Sequence, residues 1–298
     1  MKSSSPRRRS LFRSRWFRLA MVVALLGVGV KSWLWWRDRG GGITETYTPV
    51  SDAQRDTSNV LPGNPANPKQ QLRDWAKRAM IDIPKNVRDY SAILMKRERS
   101  GGTLSPGQAM FVKVRHQPFS VYLYFLTPES RKGEEALYVE GRNDGSLLGH
   151  ATGLMGNLGT LALSPTGAVA MYGQRHPIMD IGILNLTRRL LEAAEKHLDS
   201  PDCHVRYLPQ AKINGHPYLC IEAIIPFPTA KRPHGAQVAR IFVDRQLDVP
   251  IRYEQYDWSG IAGDKPELAE QYTYLDLKVN RGFTDLDFDV KNPNYQFP

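Results

Sequence analysis

Apolar and polar residues alternate with a period of two in several short segments of the chain after residue 89. In 119–126, Phe119, Val121, Leu123 and Phe125 share one side, while Tyr122 and Tyr124 lie on the other. Such alternation is typical of a strand with one covered face. Short segments of this kind, bounded by turn residues, predict nine strands. They are 90–97, 108–115, 119–126, 134–139, 203–208, 218–225, 237–244, 250–258 and 269–279.

Two other stretches have the period of a helix. Asn67 and Pro68 supply a cap and a first-turn proline, and an apolar stripe at i, i+3, i+4, i+7 and i+8 follows. The second helix is predicted at about 179–198. The stripe of the first comprises Leu72, Trp75, Ala76, Ala79 and Met80, and that of the second Ile183, Leu186, Leu190, Leu191, Ala194 and Leu198.

The segment 141–173 has neither period. It holds eight glycines with eight leucine or methionine residues between them, so it is too apolar for a solvated linker and too rich in glycine for a helix. We expect irregular structure packed on the core or, alternatively, a long ordered loop of the kind that often carries function. Near the C-terminus, Phe288, Tyr295 and Phe297 are expected to close an edge of the sheet. Together these patterns predict an α+β domain, mainly antiparallel β, with about 8–11 strands and two helices.

The N-terminal region has the composition of a membrane anchor. Residues 19–36 form an apolar run of 18 residues, interrupted by Lys31, near the minimum length that crosses a bilayer. Tryptophans flank the run, and seven basic residues precede it, which predicts a cytoplasmic N-terminus. We therefore expect a basic n-region at 1–18, a single-pass inner-membrane anchor at 19–36, a disordered linker at 37–68 and an extracytoplasmic domain at 69–298. A cleaved signal peptide and a twin-arginine export signal remain alternatives.

The net charge of +10 belongs to this leader. Residues 1–39 have ten basic residues and one acidic residue, whereas the remaining chain has 30 basic and 29 acidic residues. A nucleic-acid-binding domain needs a basic face that neutralises phosphates. The charge of the domain gives no support for a nucleic-acid partner.

No pattern for catalysis is present. The seven histidines have no metal-ligand spacing, and the chain has neither a phosphate-binding loop nor a nucleophile elbow. Arg175 and His176 precede the second helix and could bind an anion, although such residues more often cap and pack. We therefore predict no catalytic residue, no metal, no cofactor and no enzymatic activity.

The two cysteines leave two alternatives open. A two-residue turn at Asn214 and Gly215 would place Cys220 opposite Pro209 rather than opposite Cys203. A bulge near Pro209 could change this pairing. The pair Cys203 and Cys220 therefore forms either a disulfide or two buried free thiols.

Several motifs resemble a known group of proteins. The sequences DYSA (89–92), GQAMFVK (107–113), FSVYLYF after Pro118, and ARIFVDRQLDVPIRYEQYDW (239–258) resemble the LolA/LolB-like lipoprotein-carrier superfamily. More specifically, GEEALYVEGRNDGSLLGHATG (133–153) and LSPTGAVAMYGQRHPIMDIGI (163–183) look like the signature of a bacterial envelope family, domain-of-unknown-function family 1571.

The resemblance implies a half-open curved β-barrel closed by the two helices around an apolar cavity that holds a lipid or lipoprotein acyl chain without catalysis. The chain departs from the soluble carriers in its predicted anchor and in its glycine-rich segment. The alternative function is a structural or adaptor domain that binds an envelope protein, in which case the same residues form a solid core. The residues expected to line the cavity are Met110, Val112, Val114, Val121, Leu123, Phe125, Ile221, Ala223, Ile225, Ile241 and Val243.

Overall fold

The alternating segments become strands of one antiparallel sheet. The computed structural model describes residues 47–48, 67–225, 237–258 and 265–298, with the side chains at 47, 48, 210 and 225 excepted. All of these residues belong to the second of two compact units, Gly42–Pro298. The strands are β1 (Tyr47–Thr48), β2 (Asp89–Ser100), β3 (Thr103–Leu104), β4 (Gln108–Arg115), β5 (Ser120–Thr127), β6 (Glu135–Val139), β7 (Leu147–His150), β8 (Leu161–Leu163), β9 (His204–Ile213), β10 (His216–Ile225), β11 (Gln237–Asp244), β12 (Val249–Asp257) and β13 (Glu267–Val279).

Neighbouring strands follow the order β1-β9-β10-β11-β12-β13-β2-β4-β5-β6-β7-β8, with β3 paired to β2. In the part of the chain that is described, β1 and β8 are the two ends of this order and do not pair with each other, so the barrel is not closed. The 13 strands exceed the predicted 8–11 because four of them are only two to four residues long. Segments this short leave no alternation in the sequence.

The first helix, α1 (Pro68–Asn86), begins as the sequence predicts. The Asn67 side chain accepts a hydrogen bond from Gln70 N at 3.1 Å, which satisfies one of the free N–H groups of the first turn. The buried face of α1 includes Ile83, whereas Met80, which was predicted in the apolar stripe, is not among the buried residues. This face packs on the same core as the inner side of the sheet.

The second helix, α2 (Ile183–His197), begins later than predicted because a separate 3₁₀ turn occupies Ile178–Asp180. Gly182 has a φ of 123°, a value that L-residues avoid, and it separates the two elements. Two buried tyrosines of the sheet then take the place of a side-chain cap. Gly182 N donates to Tyr274 Oη and Ile183 N donates to Tyr90 Oη, both at 2.9 Å. These bonds hold the start of α2 against β13 and β2.

The glycine-rich segment is more regular than expected. It contains β7 and β8, which extend the sheet beyond β6, and the 3₁₀ turns Asn143–Gly145 and Gly153–Leu158. It thus supplies the last two strands of the sheet instead of a loop alone.

The C-terminal residues, which were expected to close an edge of the sheet, cover part of one of its faces. Phe288 shares a small second core with Tyr122, Leu137 and Val139, on the side of β5 and β6 that faces away from the helices. The ring of Tyr295 stacks on Tyr122, with centroids 3.9 Å apart and planes 5° from parallel. Both sides of this half of the sheet are therefore packed.

The anchor predicted at 19–36 lies outside the described residues, as do 1–18 and nearly all of the linker. Within the described ranges, no helix combines the length and the apolar character needed to cross a bilayer.

Candidate functional site

Ten of the eleven residues expected to line an apolar cavity lie on the helix-facing side of the sheet, in its core or packed against it. Nine of them are buried in the core that α1 and α2 share with the sheet. Ala223 is partly buried against the same core, and the side chain of Ile225 is not described. That these residues also line a cavity stays a prediction. The nine are Met110, Val112, Val114, Val121, Leu123, Phe125, Ile221, Ile241 and Val243.

A pocket of about 540 Å³ opens elsewhere, beside the first turn of α1. It lies where β9 starts and β10 ends, because His204 pairs with Ile224 across these two strands. Its volume is in the range of small-molecule sites, about 300–1,000 Å³. None of the eleven expected cavity residues lines it. The residues that do are Asn67, Pro68, Lys69, Cys203, His204, Val205, Arg206 and Ile224.

The charged groups of this pocket are all basic. Lys69 Nζ donates to the carbonyl oxygen of Ser200 at 2.8 Å, which holds the ammonium group beside the pocket. Arg206 Nε donates to Glu222 Oε1 at 2.9 Å, while His204 is exposed. Burial would raise the pKa of Glu222, but Arg206 and Arg240 lower it below its ordinary value, so this carboxylate stays ionised at neutral pH.

The remaining lining is apolar. Pro68, Val205 and Ile224 contribute hydrocarbon surface. Burial raises the pKa of the Cys203 thiol more than the charge of Lys69 lowers it, so the thiol is protonated at neutral pH and is a poor nucleophile. The pocket therefore combines apolar walls with cationic groups, an arrangement suited to an amphiphile with an anionic group.

A buried polar cluster occupies another part of the helix-facing side. Glu98 on β2 and Glu270 on β13 are directly paired positions, and each side chain is almost fully buried. Tyr272 donates hydrogen bonds to Glu98 Oε1 and, at 3.4 Å, to Glu270 Oε2. Lys96 Nζ lies 3.1 Å from Glu98 Oε2. Burial lowers the pKa of Lys96, and Glu98 beside it opposes that shift.

The segment before α2 contributes two of the basic residues of this cluster, Arg175 and His176. His176 Nε2 lies 2.7 Å from Glu270 Oε2, and Arg175 Nε lies 3.1 Å from the same oxygen. The Arg175 backbone N–H also donates to Glu98 Oε2 at 3.1 Å, and Arg189 of α2 approaches Glu270 Oε1 at 3.9 Å. The anion that the Arg175–His176 pair binds is thus a carboxylate of the protein itself, and the cluster fastens the segment to the sheet.

The sequence contained a weak signal for Glu98 and Glu270. Glu98 lies four residues after Leu94 in β2, and Glu270 lies four residues before Tyr274 in β13, so each shares one side of its strand with a residue of the core. A charged residue at an inward position needs a partner. The partners are far away in the sequence, so the signal could mark the residues without identifying the cluster. Among the described residues, no three His, Cys, Asp or Glu side chains are grouped so as to hold a metal ion.

The disulfide alternative is not realised, since both cysteines are free and buried. A register shift in the β9–β10 hairpin places Cys220 opposite Leu208. Cys203 lies five residues before Leu208, roughly 17 Å away along the strand at about 3.4 Å per residue. A disulfide needs Cα atoms within about 7 Å.

The family model described as a protein of unknown function (DUF1571) matches residues 87–297. No curated protein matches the sequence. The fold is similar to that of a DUF1329 family protein from Desulfovibrio piger, with 12% identity and a TM-score of 0.35, covering 75% of this chain and 98% of that one.

The Mycobacterium tuberculosis lipoprotein LppX is 14% identical with a TM-score of 0.41, covering 74% of this chain and 99% of LppX. A chain of the Pseudomonas aeruginosa MucA/MucB complex is 14% identical with a TM-score of 0.39, and the match covers 74% of this chain and 60% of that one. Similarity at this level gives no basis for assigning a ligand or a partner.

Proposed function

The chain belongs to the DUF1571 family, and from the geometry of its pocket we propose that it is a non-catalytic envelope domain that binds an amphiphile with an anionic group. The observation that carries the proposal is the lining of the 540 Å³ pocket, in which apolar walls meet Lys69, His204 and Arg206. The hydrocarbon part of the ligand would contact Pro68, Val205 and Ile224, and its anionic group would lie beside the three basic side chains.

Burial of hydrocarbon supplies most of the affinity in this proposal. Each methylene removed from water contributes about 0.8 kcal/mol, so a short stretch of an acyl chain is sufficient for specific binding. The basic groups add selectivity for the anion, because an ammonium or guanidinium group forms stronger hydrogen bonds with a charged acceptor than with a neutral one. Neither contribution requires a nucleophile or a general base.

The position of the pocket in the chain supports a membrane source for the ligand. Asn67, Pro68 and Lys69 line it, and they lie where the predicted linker ends and the domain begins. Within the predicted linker, Tyr47 and Thr48 form β1 and pair with β9, so ten residues, 37–46, separate the predicted anchor from the sheet. A flexible chain of ten residues has an end-to-end distance on the order of 20 Å. With the predicted single-pass anchor in the inner membrane, the pocket stays close to the outer surface of that bilayer.

Titration of the full chain with dodecanoate, followed by native mass spectrometry from a non-ionic detergent, tests the proposal. We expect His204→Trp, which fills the pocket from an exposed position, to weaken dodecanoate binding at least about tenfold. His216→Trp is the matched control, since His216 is also exposed but lies at the turn end of the same hairpin.

A second comparison isolates the charge. Lys69→Ala should weaken dodecanoate binding severalfold and leave dodecanol binding unchanged, whereas Lys77→Ala on the exposed side of α1 should alter neither. Dodecanoate binding that is equal in the wild type, His204→Trp and His216→Trp contradicts the pocket proposal and favours an adaptor domain that binds a protein.

A further inference from the structure

The glycine-rich part of the chain has an unusual surface. From Gly145 to Gln174 there are 30 consecutive residues without Asp, Glu, Lys or Arg, in a chain of which 23% is charged. Seven large apolar side chains are exposed among the described residues, and five of them belong to this segment. The five are Leu154, Met155, Leu158, Val169 and Tyr172.

Three of these side chains lie on one 3₁₀ turn, Gly153–Leu158, in the connection between β7 and β8. Leu154 is 90% exposed, Leu158 is 53% exposed and Met155 is 38% exposed. The turn is tightly built, because a Cβ atom at Gly156 would lie 2.9 Å from the carbonyl oxygen of Ala151. Only glycine fits this close approach.

Isolated exposed apolar residues are normal, but a group of them on one turn marks a contact surface. The chemistry of the surroundings favours a bilayer over a protein. Protein interfaces are surrounded by a polar rim, whereas this turn lies within 30 residues that have no charged side chain to desolvate. In addition, 66 residues precede Asn67, and they include the apolar run predicted to be an anchor.

We infer that the turn Gly153–Leu158 inserts Leu154, Met155 and Leu158 into the interface of a lipid bilayer, as a second membrane contact beside the predicted anchor. This inference rests on the proposed membrane-tethered function. The second contact would fix the orientation of the domain on the membrane. The linker alone would leave that orientation free. Having no charged residue, the segment would insert without a requirement for anionic lipid.

Quenching by spin-labelled lipid tests the inference on the full chain. Leu154→Cys is labelled with bimane, and the protein is reconstituted in phosphatidylcholine vesicles that contain doxyl-phosphatidylcholine. Lys77→Cys, at an exposed position of α1, is the control. The native cysteines are buried, and the unsubstituted chain measures any label that they take up. We expect at least about threefold stronger quenching at position 154 than at position 77, because a label inserted in the bilayer interface lies close to the doxyl groups.

Flotation of the same samples separates the two proposals. If the protein floats with the vesicles but quenching is weak and equal at positions 154 and 77, the membrane tether is supported and the membrane contact of the turn is overturned. If the protein does not float with the vesicles, both the membrane tether and the membrane contact of the turn are overturned. Quenching at position 154 that disappears with Leu158→Asp, while flotation remains, supports the inference, because a charge in the turn opposes insertion.

Discussion

Glu98 and Glu270 lie opposite each other on two neighbouring antiparallel strands, with each residue only 1% exposed. Two like charges at such positions repel each other, and burial raises the cost of each charge. His176 and Arg175 contact Glu270, and Lys96 contacts Glu98. The two carboxylates therefore link β2 and β13 to the segment that leads into α2.

Removing one of these charges should destabilise the fold. Glu270→Gln keeps the size of the side chain but leaves Arg175 and His176 without their buried partner. We expect a loss of about 3 kcal/mol in the free energy of unfolding, measured with urea at pH 7. Glu267→Gln is the control, because Glu267 is 62% exposed and its ion pair with Arg99 is a surface pair that contributes at most about 1 kcal/mol. Equal losses in the two variants would show that the cluster contributes no special stability.

The same cluster should make the stability depend on pH. Burial would raise the pKa of Glu270, but His176, Arg189 and Arg175 bring it below its ordinary value. The unfolded chain then takes up a proton at a higher pH than the folded chain, so stability falls as the pH falls. The contribution of Glu270 is present above its unfolded pKa of about 4.3 and is lost as the pH falls through the lower folded pKa.

Urea unfolding of the wild type and of Glu270→Gln between pH 7 and pH 3 measures this contribution. The difference between the two proteins should shrink below about pH 4. Other carboxylates, such as Glu222, are common to both proteins and cancel in the difference. A difference that grows towards pH 3 would contradict the lowered pKa.

The stacking of Tyr295 on Tyr122 predicts that the C-terminal residues stabilise the domain. Tyr295 Oη also donates to the carbonyl oxygen of Asp287 at 2.6 Å. Because Tyr295 is only partly buried, Tyr295→Ala should cost about 2 kcal/mol, less than a fully buried aromatic residue. Tyr172→Ala removes a 75% exposed ring and should cost less than about 0.5 kcal/mol. A negligible loss in the first variant would mean that the C-terminal residues do not cover the sheet in solution.

Gly182 should not tolerate a side chain. A Cβ atom there would lie 3.2 Å from Tyr90 Oη, the group that accepts the hydrogen bond from Ile183 N, and the φ of 123° adds backbone strain. We expect Gly182→Ala to lower the free energy of unfolding by about 2–3 kcal/mol. Gly102→Ala also has a positive φ but no atom within 4 Å, so it should cost only about 1 kcal/mol. Thermal or urea unfolding of the two variants gives the comparison, and equal costs would mean that the contact with Tyr90 is unimportant.

The sequence identified most of the sheet because alternation of residues reports burial directly. The strands at 108–115 and 237–244 have the predicted bounds. β9 was predicted to end at 208 but continues to Ile213, since a register shift accommodates the proline at 209. β7 and β8 were missed because their pairing depends on the free edge of β6, which is a tertiary feature.

The candidate sites were harder to predict, because they also depend on tertiary contacts between segments that are far apart in the sequence. The pocket is built from three segments, at 67–69, 203–206 and 224, and no spacing in the sequence links them. The apolar pattern of Phe288 and Tyr295 indicated burial, but which surface of the sheet they cover is decided by packing. Arg175 and His176 suggested anion binding, and the three-dimensional fold identifies Glu270 as the anion.

The most direct test of the account is to identify what the protein carries in a membrane. The full chain is purified from bacterial membranes, extracted with organic solvent, and the extract is analysed by mass spectrometry. We predict an anionic amphiphile in near-equal molar amount to the wild type and to His216→Trp, and its loss from His204→Trp. An extract without an anionic amphiphile, or one equally rich from His204→Trp, would contradict the proposal that the pocket beside α1 is a binding site.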